Sequence, residues 1–385
     1  MELLTRLNPA SVCLLENEIG FKVDFAAINI LSAHTRKTCP VFKTLYIPLY
    51  SKKLADCINP GDTVLSFMER ANFVNIASKP GKTHRAVICE LTQPSMEFAG
   101  IRGMLMKPLI KRIYPGADMI IANSKGVKQD LVENFRIHGE KIKIINNSYN
   151  IEKFTRQASQ PLEKEYLQLF ENPVLINLGR LTRAKGQRHL VRVYSGVKKQ
   201  IKNAKLVLLG DGELRNYLVE FSRNAGLKTF AAWENNAIAP DYDVYFLGYR
   251  DNPHKFLSKS TLFVFTSLWE GFPNALMDAL MSKVPVISSD CESGPREILA
   301  PETDFNFRAK IPEFTPYGIL MPSFNPERIN PQYPLNETEN TWIETIVQML
   351  KNEKMRRDYA EKGFKRVKDF EINSIAGEWK KIINE

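Results

Sequence analysis

Two carboxylates that flank a proline are the best candidates for chemistry in this sequence. Glu270 and Asp278 lie in the segment Trp269-Glu270-Gly271-Phe272-Pro273-Asn274-Ala275-Leu276-Met277-Asp278. Because Pro273 suits the first position of a helix, Glu270 is expected in the preceding loop and Asp278 one turn or so inside the helix. The helix start would direct backbone N–H groups and the positive end of its dipole at an anion. The segment therefore predicts a site for a ligand with hydroxyl groups on either side of a phosphate. The alternative is a solvated helix face with an acidic residue near its start.

Two basic residues in an earlier segment suit the same kind of ligand. Arg180 and Lys185 lie in Gly179-Arg180-Leu181-Thr182-Arg183-Ala184-Lys185-Gly186, directly after an apolar run. Their charges could hold a diphosphate and stabilise the negative charge that develops as it leaves. Taken alone, the segment is more typical of two solvated cations in a loop.

Two glycine-containing loops follow other apolar runs in the second half. Gly210-Asp211-Gly212-Glu213 is an incomplete glycine fingerprint, because Arg215 stands where the third glycine belongs. Dinucleotide binding is therefore poorly supported. Gly248-Tyr249-Arg250-Asp251-Asn252-Pro253 could line a pocket for a base. Both segments are also typical of simple turns.

Candidates for metal binding and for acceptor binding carry a weaker signal. Asp241-Tyr242-Asp243 matches an Asp-x-Asp metal motif, but its context does not match, so a surface loop is the preferred interpretation. The five histidines show no ligand spacing, and no structural or catalytic metal is expected. Glu90 follows an apolar run of the first half and could face an acceptor, while a solvated or capping role fits equally well.

The composition describes a globular protein of two or three domains. Hydrophobic residues make up 44% of the 385 positions and charged residues 25%. No stretch reaches the roughly 20 apolar residues that a membrane span needs. The five cysteines are odd in number and scattered, and the first residues lack the features of a signal peptide. These observations favour a reduced, cytoplasmic protein.

The net charge of +10 is concentrated in the first half of the chain. Residues 1–150 carry 20 Lys and Arg against 13 Asp and Glu, a net +7. Such an excess suggests an anionic partner, namely a membrane surface, a phosphorylated substrate or nucleic acid. Nucleic-acid binding is disfavoured because the expected aromatic and basic motifs are missing.

A predicted helix over 102–114 combines basic and apolar residues. It could contact an anionic membrane. It could equally pack its apolar side on the sheet with a solvated outer face, which is the preferred interpretation. The residues concerned are Ile101, Arg102, Met104, Leu105, Lys107, Leu109, Ile110, Lys111 and Arg112.

These candidates need a scaffold that brings distant loops together. Short apolar runs alternate with amphipathic stretches along the chain, a pattern that predicts parallel sheets flanked by helices, the α/β class. The predicted strands cover residues 63–67, 86–89, 118–122 and 141–145 in the first half, and 173–179, 205–210, 244–248, 262–265 and 284–288 in the second. Residues 305–335 are rich in proline and aromatic residues and are expected to form a long irregular excursion.

The predicted domain organisation has two Rossmann-like parallel-sheet domains. An N-terminal, acceptor-binding domain would occupy residues 1–150 and a C-terminal, donor-binding domain residues 173–368. Residues 151–172 would connect them, and a helix within 369–385 would pack back on the first domain. Two such sheets would face each other across a cleft, where the loops from their carboxyl ends converge.

Taken together, the four second-half segments resemble glycosyltransferase family 4, a retaining family with the GT-B fold. In that family a Glu-x7-Glu pattern falls where Glu270 and Asp278 stand. The resemblance implies that Glu270 contacts the transferred sugar and Asp278 the ribose. It gives Glu270, Arg180 and Lys185 catalytic roles, the two cations on the diphosphate. The implied donor-binding set also contains Gly179, Gly248, Tyr249, Arg250, Gly271, Phe272, Pro273, Asn274, Ala275 and Leu276.

The resemblance extends to shorter stretches and has two departures. Gly294-Pro295-Arg296-Glu297-Ile298 and Ser66-Phe67-Met68-Glu69 are similar to family segments, and Glu69 joins Glu90 on the acceptor side. Asp278 is one methylene shorter than the usual glutamate. Family members open with a strand, a glycine-rich loop and a helix, whereas residues 2–7 look like the family's second strand. The first strand-loop-helix unit is therefore expected to be missing, with a loosely packed first domain and weak transfer.

The implied activity is transfer of a hexosyl or N-acetylhexosaminyl group from a nucleoside diphosphate sugar, with UDP-sugar preferred. The acceptor would be a glycan or polyprenyl-linked saccharide of surface-polysaccharide synthesis, such as lipopolysaccharide or capsule. No cofactor or metal is expected, and the enzyme would act in the cytoplasm, at the inner face of the membrane. The alternative is a non-catalytic partner subunit that binds a sugar nucleotide or glycan. An NAD-dependent enzyme is disfavoured by the incomplete glycine fingerprint.

Overall fold

The computed structural model describes residues 2–18, 26–35, 37–81, 83–98, 100–234, 237–325 and 329–384. The chain divides into two compact units. The first unit contains Met1–Tyr149 and Phe370–Glu385, and the second contains Asn150–Asp369. Each unit is built on a parallel sheet, so the α/β class predicted from the alternating pattern is confirmed.

A four-stranded parallel sheet forms the centre of the first unit. The strands lie in the order β3-β4-β5-β6, and a separate parallel pair is formed by β1 and β2. Their bounds are β1 Ser11–Leu14, β2 Ala27–Ile30, β3 Thr63–Phe67, β4 Arg85–Glu90, β5 Met119–Ala122 and β6 Ile142–Ile144. The helices of this unit are α1 Glu2–Leu7, α2 Pro40–Leu45, α3 Ile47–Cys57, α4 Glu69–Ser78, α5 Pro94–Glu97, α6 Gly100–Ile113, α7 Lys125–Phe135 and α17 Ile372–Asn384.

Both faces of this sheet are covered, because successive residues of a strand point to opposite sides. On one face, Ile88 and Ile120 pack with Phe73 of α4 and Tyr114. On the other face, Val87, Cys89 and Ile121 pack with Ile375, Trp379 and Ile382 of the terminal helix α17. Residues that are far apart in the sequence therefore close the core of the first unit.

An eight-stranded sheet forms the second unit, in the order β13-β14-β12-β11-β7-β8-β10-β9. All neighbours are parallel except the hairpin of β13 and β14. The strands are β7 Val174–Leu178, β8 Lys205–Leu209, β9 Thr229–Ala231, β10 Val244–Gly248, β11 Leu262–Phe265, β12 Val286–Ser289, β13 Glu313–Thr315 and β14 Gly318–Met321.

The helices of the second unit lie mainly between its strands. They are α8 Ile151–Ala158, α9 Lys164–Leu167, α10 Gln187–Gln200, α11 Arg215–Asn224, α12 His254–Leu257, α13 Asn274–Met281, α14 Pro295–Leu299, α15 Glu337–Lys351 and α16 Glu353–Val367. Short 3-10 turns cover Lys79–Gly81, Tyr114–Gly116, Gly139–Lys141, Gln168–Glu171, Arg183–Lys185 and Lys368–Phe370. Within the described residues, no helix is both long and apolar enough to cross a membrane.

The strand predicted at residues 2–7 is wrong, because this segment is the helix α1. Leu3 and Leu7 lie four residues apart, so they share one helix face, and both pack on the cluster that contains Trp379. The expectation that a strand-loop-helix unit is missing ahead of this segment stays a prediction.

The irregular excursion predicted at 305–335 is also wrong in part. It contains the hairpin strands β13 and β14, and β14 pairs with β12 inside the sheet. Gly318-Ile319-Leu320-Met321 is a fully buried apolar run, and the Thr315 hydroxyl donates to the Gly318 carbonyl across the turn at 2.8 Å. The prolines and aromatic residues around this short run hid the strand signal.

Candidate active site

The loop after β7 is fastened to the segment after β11 by backbone contacts. The N–H of Leu268 donates to the carbonyl of Ala184 at 2.7 Å, and the Thr266 hydroxyl donates to the carbonyl of Lys185 at 3.2 Å. Gly186 has a φ of +63°, and a Cβ there would lie 2.1 Å from the carbonyl oxygen of Thr266. A side chain at 186 would separate the two segments, so this glycine is required for their close approach.

These contacts bring two of the predicted site residues together. The Lys185 Nζ lies 2.5 Å from the Glu270 Oε1, although 85 positions separate the residues in the sequence. The Lys185 side chain is 23% exposed and that of Glu270 only 9%. A partly buried ion pair depends on both members, because removing one leaves the other charge without its partner. The structure thus joins the predicted sugar contact to the predicted diphosphate contact.

The loop that carries Glu270 rests on the loop after β12. The Ser293 hydroxyl donates to the Gly271 carbonyl at 2.7 Å, and the Glu270 N–H donates to the Glu292 carbonyl at 3.3 Å. Gly294 has a φ of +92°, and a Cβ there would lie 2.3 Å from the Cδ of Pro273. The Gly294 segment noticed in the sequence therefore packs directly against the Glu270 loop and supports it.

Helix α13 begins one residue later than expected, because Pro273 is its N-cap residue and Asn274 its first position. Phe272 and Pro273 are buried, Asn274 is exposed and Ala275 is half-buried. The helix has no side-chain cap at its N-terminus, where the positive end of the dipole lies. Leu276 is fully buried, and its N–H donates to the Pro273 carbonyl at 3.1 Å. The prediction that Leu276 contacts the donor has no support in this geometry.

Asp278 lies beside a histidine that the sequence did not single out. The His254 Nε2 is 3.7 Å from the Asp278 Oδ1, and the His254 Nδ1 shares a hydrogen bond of 3.1 Å with the Ser282 hydroxyl. Burial raises the pKa of the Asp278 carboxyl to about 7 and lowers the pKa of His254 to about 4. The imidazole is therefore neutral at neutral pH, and it does not hold Asp278 in its charged form.

The glycines after β7 and β8 allow the two strand ends to touch. A Cβ on Gly210 would lie 2.0 Å from the Gly179 carbonyl oxygen, and a Cβ on Gly212 would lie 2.5 Å from the Leu181 carbonyl oxygen. The incomplete glycine fingerprint thus packs backbone against backbone beside Arg180. The Arg180 side chain is exposed, and no ion pair holds it within the described part of the chain.

The loop after β10 gives a mixed result for the predicted base pocket. Tyr249 is 73% exposed and follows Gly248, whose φ is +74°. Arg250 instead has a packing role: its Nη2 donates to the Tyr166 hydroxyl at 2.7 Å, and its guanidinium lies 5.9 Å from the Phe256 ring centre. The guanidinium is engaged within the second unit, so Tyr249 is the stronger candidate in this loop.

The two aspartates of the Asp-x-Asp segment are engaged by lysines. An Asp243 carboxylate oxygen lies 2.7 Å from the Lys198 Nζ, and an Asp241 oxygen lies 3.3 Å from the Lys228 Nζ. Among the described residues, no group of three or more His, Cys, Asp and Glu side chains could hold a metal ion.

A second group of carboxyls lies in the first unit. Strands β3 and β4 pair with Phe67 beside Cys89, so Glu69 and Glu90 follow at the same edge of the sheet. Glu90 is 1% exposed, and its Oε2 accepts a hydrogen bond of 2.8 Å from the Tyr114 hydroxyl. Its Oε1 accepts bonds from the N–H groups of Leu91 and Thr92.

Burial and the neighbouring Glu69 carboxyl raise the pKa of Glu90 to about 8. Burial also raises the pKa of Glu69, an effect that the positive charge of Arg102 opposes. At neutral pH Glu90 therefore holds a proton, whereas the charge of Glu270 in the second unit is balanced by Lys185. The solvated role considered for Glu90 is wrong, because its side chain is buried.

Sequence reasoning missed several of the residues that support these groups. Tyr114 and Asn72 support Glu90: Tyr114 donates a hydrogen bond to Glu90, and the Asn72 amide donates to the Tyr114 hydroxyl at 3.1 Å. His254 lies beside Asp278, and the Thr266 hydroxyl donates to the backbone carbonyl of Lys185. The only sequence signal for Asn72 and Tyr114 was their position close to predicted strands. Nothing in the local sequence indicates the roles of His254 and Thr266.

Comparisons with known proteins agree with this architecture. The family model described as "Glycosyl transferases group 1" matches residues 172–316, and that described as "Glycosyltransferase Family 4" matches residues 95–153. An uncharacterized glycosyltransferase of Methanocaldococcus jannaschii is 41% identical over 277 residues. That match covers 71% of this chain and 65% of the archaeal relative, so the chain spans just under two thirds of it.

A second relative matches over more of its length. It is the Campylobacter jejuni N-acetylgalactosamine-N,N'-diacetylbacillosaminyl-diphospho-undecaprenol 4-alpha-N-acetylgalactosaminyltransferase, 28% identical over 94% of this chain and 88% of that protein. Among solved structures, the Anabaena protein HepE in complex with UDP has a TM-score of 0.67 at 16% identity, covering 94% of this chain and 92% of that one. Sucrose-phosphate synthase from Thermosynechococcus elongatus has a TM-score of 0.71 at 17% identity, covering 99% and 92%.

The two parallel-sheet units and these structural neighbours define the GT-B fold class. The chain belongs to glycosyltransferase family 4, and it is a glycosyltransferase by class.

Proposed function

We propose that this protein transfers a hexosyl or N-acetylhexosaminyl group from a UDP-sugar to a polyprenyl-linked saccharide, and that it retains the anomeric configuration. The observation that carries the proposal is the Lys185–Glu270 pair, which backbone contacts fix beside the start of α13. The Campylobacter relative, named for an undecaprenol-linked acceptor, supports the acceptor class. The UDP complex of HepE supports the donor class.

On the donor side, two cations and a helix start suit a diphosphate. The exposed Arg180 and the partly exposed Lys185 would neutralise the phosphate charges, which increase as the sugar departs. A bound diphosphate would compete with Glu270 for Lys185. Glu270 would then be released to accept hydrogen bonds from hydroxyls of the transferred sugar, and Asp278 would bind the ribose.

The chemical step needs no covalent intermediate on the protein. The bond between the anomeric carbon and the UDP oxygen breaks, and a bond to the acceptor oxygen forms on the same face of the sugar. The acceptor proton passes to the departing phosphate, so atoms and charge balance. Lys185 and Arg180 stabilise the leaving diphosphate throughout, which is the role that a metal ion has in other transferases.

On the acceptor side, we assign Glu69 to the binding of acceptor hydroxyls and Glu90 to a supporting role behind it. Both lie at the carboxyl edge of the first sheet, the edge at which open parallel sheets bind ligands. Glu90 is protonated at neutral pH, and it accepts hydrogen bonds from Tyr114 and from the N–H groups of Leu91 and Thr92, so its role is to hold the loop after β4. Glu69 is half-buried and can be reached from solvent. Surface-polysaccharide synthesis, at the inner face of the membrane, is the corresponding pathway class.

The test is a transfer assay with the full chain. UDP-glucose, UDP-galactose, UDP-GlcNAc, UDP-GalNAc and GDP-mannose would each be offered with synthetic polyprenyl-diphosphate saccharides, with and without EDTA. We expect one UDP-sugar to give a product by mass spectrometry, EDTA to leave the rate unchanged, and NMR of the product to show a retained α linkage. An inverted linkage would contradict retention, and strict metal dependence would return Asp241 and Asp243 to consideration. Donor binding without transfer to any acceptor would support the non-catalytic alternative instead.

A further inference from the structure

Helices α2 and α3 present apolar side chains to solvent in the first unit. Phe42 and Leu45 of α2 and Leu49 of α3 are between 45% and 68% exposed. The opposite face of α3 is buried, where Tyr50 and Leu54 pack in a core cluster. The helix pair therefore packs on the core with one side and exposes a second apolar side.

Helix α6 has the same two-sided character. Leu109 and Ile110 belong to the core side, so part of the packing predicted for this helix is confirmed. Ile101, Met104 and Leu105 point away from the core and are between 62% and 80% exposed. The outer face of α6 is exposed to solvent as expected, but its N-terminal half presents Ile101, Met104 and Leu105 beside Arg102, so only part of the apolar side is packed inward.

Both exposed faces continue into basic residues. Lys52 and Lys53 follow the apolar residues of α3, and Lys111 and Arg112 follow those of α6; all four are exposed. Helix α6 contains no acidic residue. Ile47 of α3 and Leu109 of α6 pack on the same core cluster, and both helices contact α4, so α3 and α6 flank α4 on one side of the first sheet.

We propose that Phe42, Leu45, Leu49, Ile101, Met104 and Leu105 form a docking surface for an anionic membrane. Apolar residues followed by basic residues match the boundary between acyl chains and negatively charged headgroups. A second copy of the chain fits less well, because face-to-face pairing would bring Lys52, Lys53, Lys111 and Arg112 of both copies together. The surface deepens the proposed function, since an acceptor carried by a polyprenyl lipid lies at such a membrane.

Vesicle binding tests this surface without any requirement for transfer. The full chain would be sedimented with phosphatidylcholine vesicles and with mixed phosphatidylcholine and phosphatidylglycerol vesicles, at low and high salt. We expect binding to the mixed vesicles that salt weakens. The double variant Leu45→Glu, Leu105→Glu should lose about tenfold in affinity or more, because a charge replaces an apolar contact on each helix. Leu167→Glu, on an exposed leucine of the second unit, is the matched control and should bind as wild type does.

The basic residues have their own comparison. The double variant Lys111→Gln, Arg112→Gln should bind the mixed vesicles several-fold more weakly, whereas Lys351→Gln, Lys354→Gln on exposed lysines of the second unit should not. Unchanged melting temperatures would exclude unfolding as the cause. Failure to bind either vesicle, or equal binding by wild type and the leucine double variant, would overturn the proposal. A concentration-dependent dimer in light scattering that the same leucine variant abolishes would also overturn it and assign the surface to a second copy. A transfer-inactive protein that binds vesicles would contradict only the proposed function.

Discussion

The two units each hold a poorly exposed glutamate near the carboxyl edge of a parallel sheet, and they neutralise it in different ways. In the second unit, the Lys185 ammonium lies against Glu270. In the first unit, no cation reaches Glu90 among the contacts of the described residues, and a proton held with a pKa of about 8 removes the charge. Burial thus keeps the proton on Glu90, whereas Glu270 has a cation within contact distance. Lys185 and Glu270 of the second unit should therefore respond to competing anions, and Glu90 of the first unit to pH.

The largest effect is expected from Glu270→Gln. The variant keeps the shape of the side chain and loses the charge that would hold the sugar in the transition state. We expect turnover to fall by at least about 100-fold. UDP affinity should not fall, since the diphosphate then no longer competes with a carboxylate for Lys185. Steady-state kinetics and calorimetry with UDP would measure the two quantities. Unchanged turnover would remove Glu270 from the site.

Next in size is the effect of removing the cations of the donor side. Lys185→Ala and Arg180→Ala should each weaken UDP binding by about tenfold, because each supplies one charge to the diphosphate. Lys228→Ala, on an exposed lysine of the same unit paired with Asp241, is the matched control and should bind UDP as wild type does. If uridine, which has no phosphate, lost affinity equally, the loss would reflect a damaged fold.

A smaller effect is expected in the first unit from Glu90→Gln. The pKa of Glu90 is about 8 in the folded chain, against 4.5 as its ordinary value. Between these pH values the folded state holds a proton that the unfolded state has lost, so stability falls as pH rises from 4.5 to 8. Glutamine resembles the protonated form, and its amide can donate to the Tyr114 oxygen. The variant should therefore lose this part of the slope and melt a few degrees higher at pH 9.

Melting curves of wild type and variant across pH 5–9 would measure this difference. Glu140→Gln, on an exposed glutamate of the same unit that does not act on Glu69 or Glu90, is the control and should keep the wild-type slope. Parallel slopes for wild type and Glu90→Gln would show that Glu90 is ionised in the fold, and the contrast between the two units would then fail.

The smallest effect concerns Asp278, which lies between the two cases. Its pKa is raised to about 7 by burial, and His254, neutral above pH 5 or so, cannot supply a charge. An ionised carboxylate accepts hydrogen bonds from both ribose hydroxyls, so affinity for a UDP-sugar, whose phosphates do not titrate in this range, should fall a few-fold as pH drops from 8 to 6. Asp278→Asn should bind the UDP-sugar more weakly at pH 8 and show little pH dependence. Calorimetry at the two pH values would decide.

Local sequence was sufficient wherever an element is long or strongly apolar. The runs at β7, β8, β10, β11 and β12 are buried along nearly their whole length, and their pattern identified them. Strand β9, which has only three residues, was missed, and so was the hairpin of β13 and β14, whose short apolar run lies among prolines and aromatic residues. The six residues of α1 were predicted to form a strand and form a helix instead, since a short apolar segment fits a strand and a helix equally well.

For the site, candidate residues could be identified from the sequence, but the contacts between them could not be predicted. Spacing and charge pointed to Glu270 and Lys185, yet their contact depends on the hydrogen bond between Leu268 and Ala184. The same holds for Glu90, whose proton depends on burial by segments that lie far along the chain. Arg250 is an opposite case, in which the sequence suggested a ligand contact that the structure does not favour. Its guanidinium instead contacts Tyr166 and Phe256.

The position of α17 has a consequence for how the protein is made. Ile375, Trp379 and Ile382 complete a core whose other members, such as Val87 and Ile121, are synthesised more than 200 residues earlier. During translation one face of the first sheet therefore lacks the cover of α17 until the whole second unit has been synthesised. A nascent chain halted before residue 370 should accordingly be sensitive to proteases and dependent on chaperones in its first unit, and it should become resistant once Ile382 has left the ribosome.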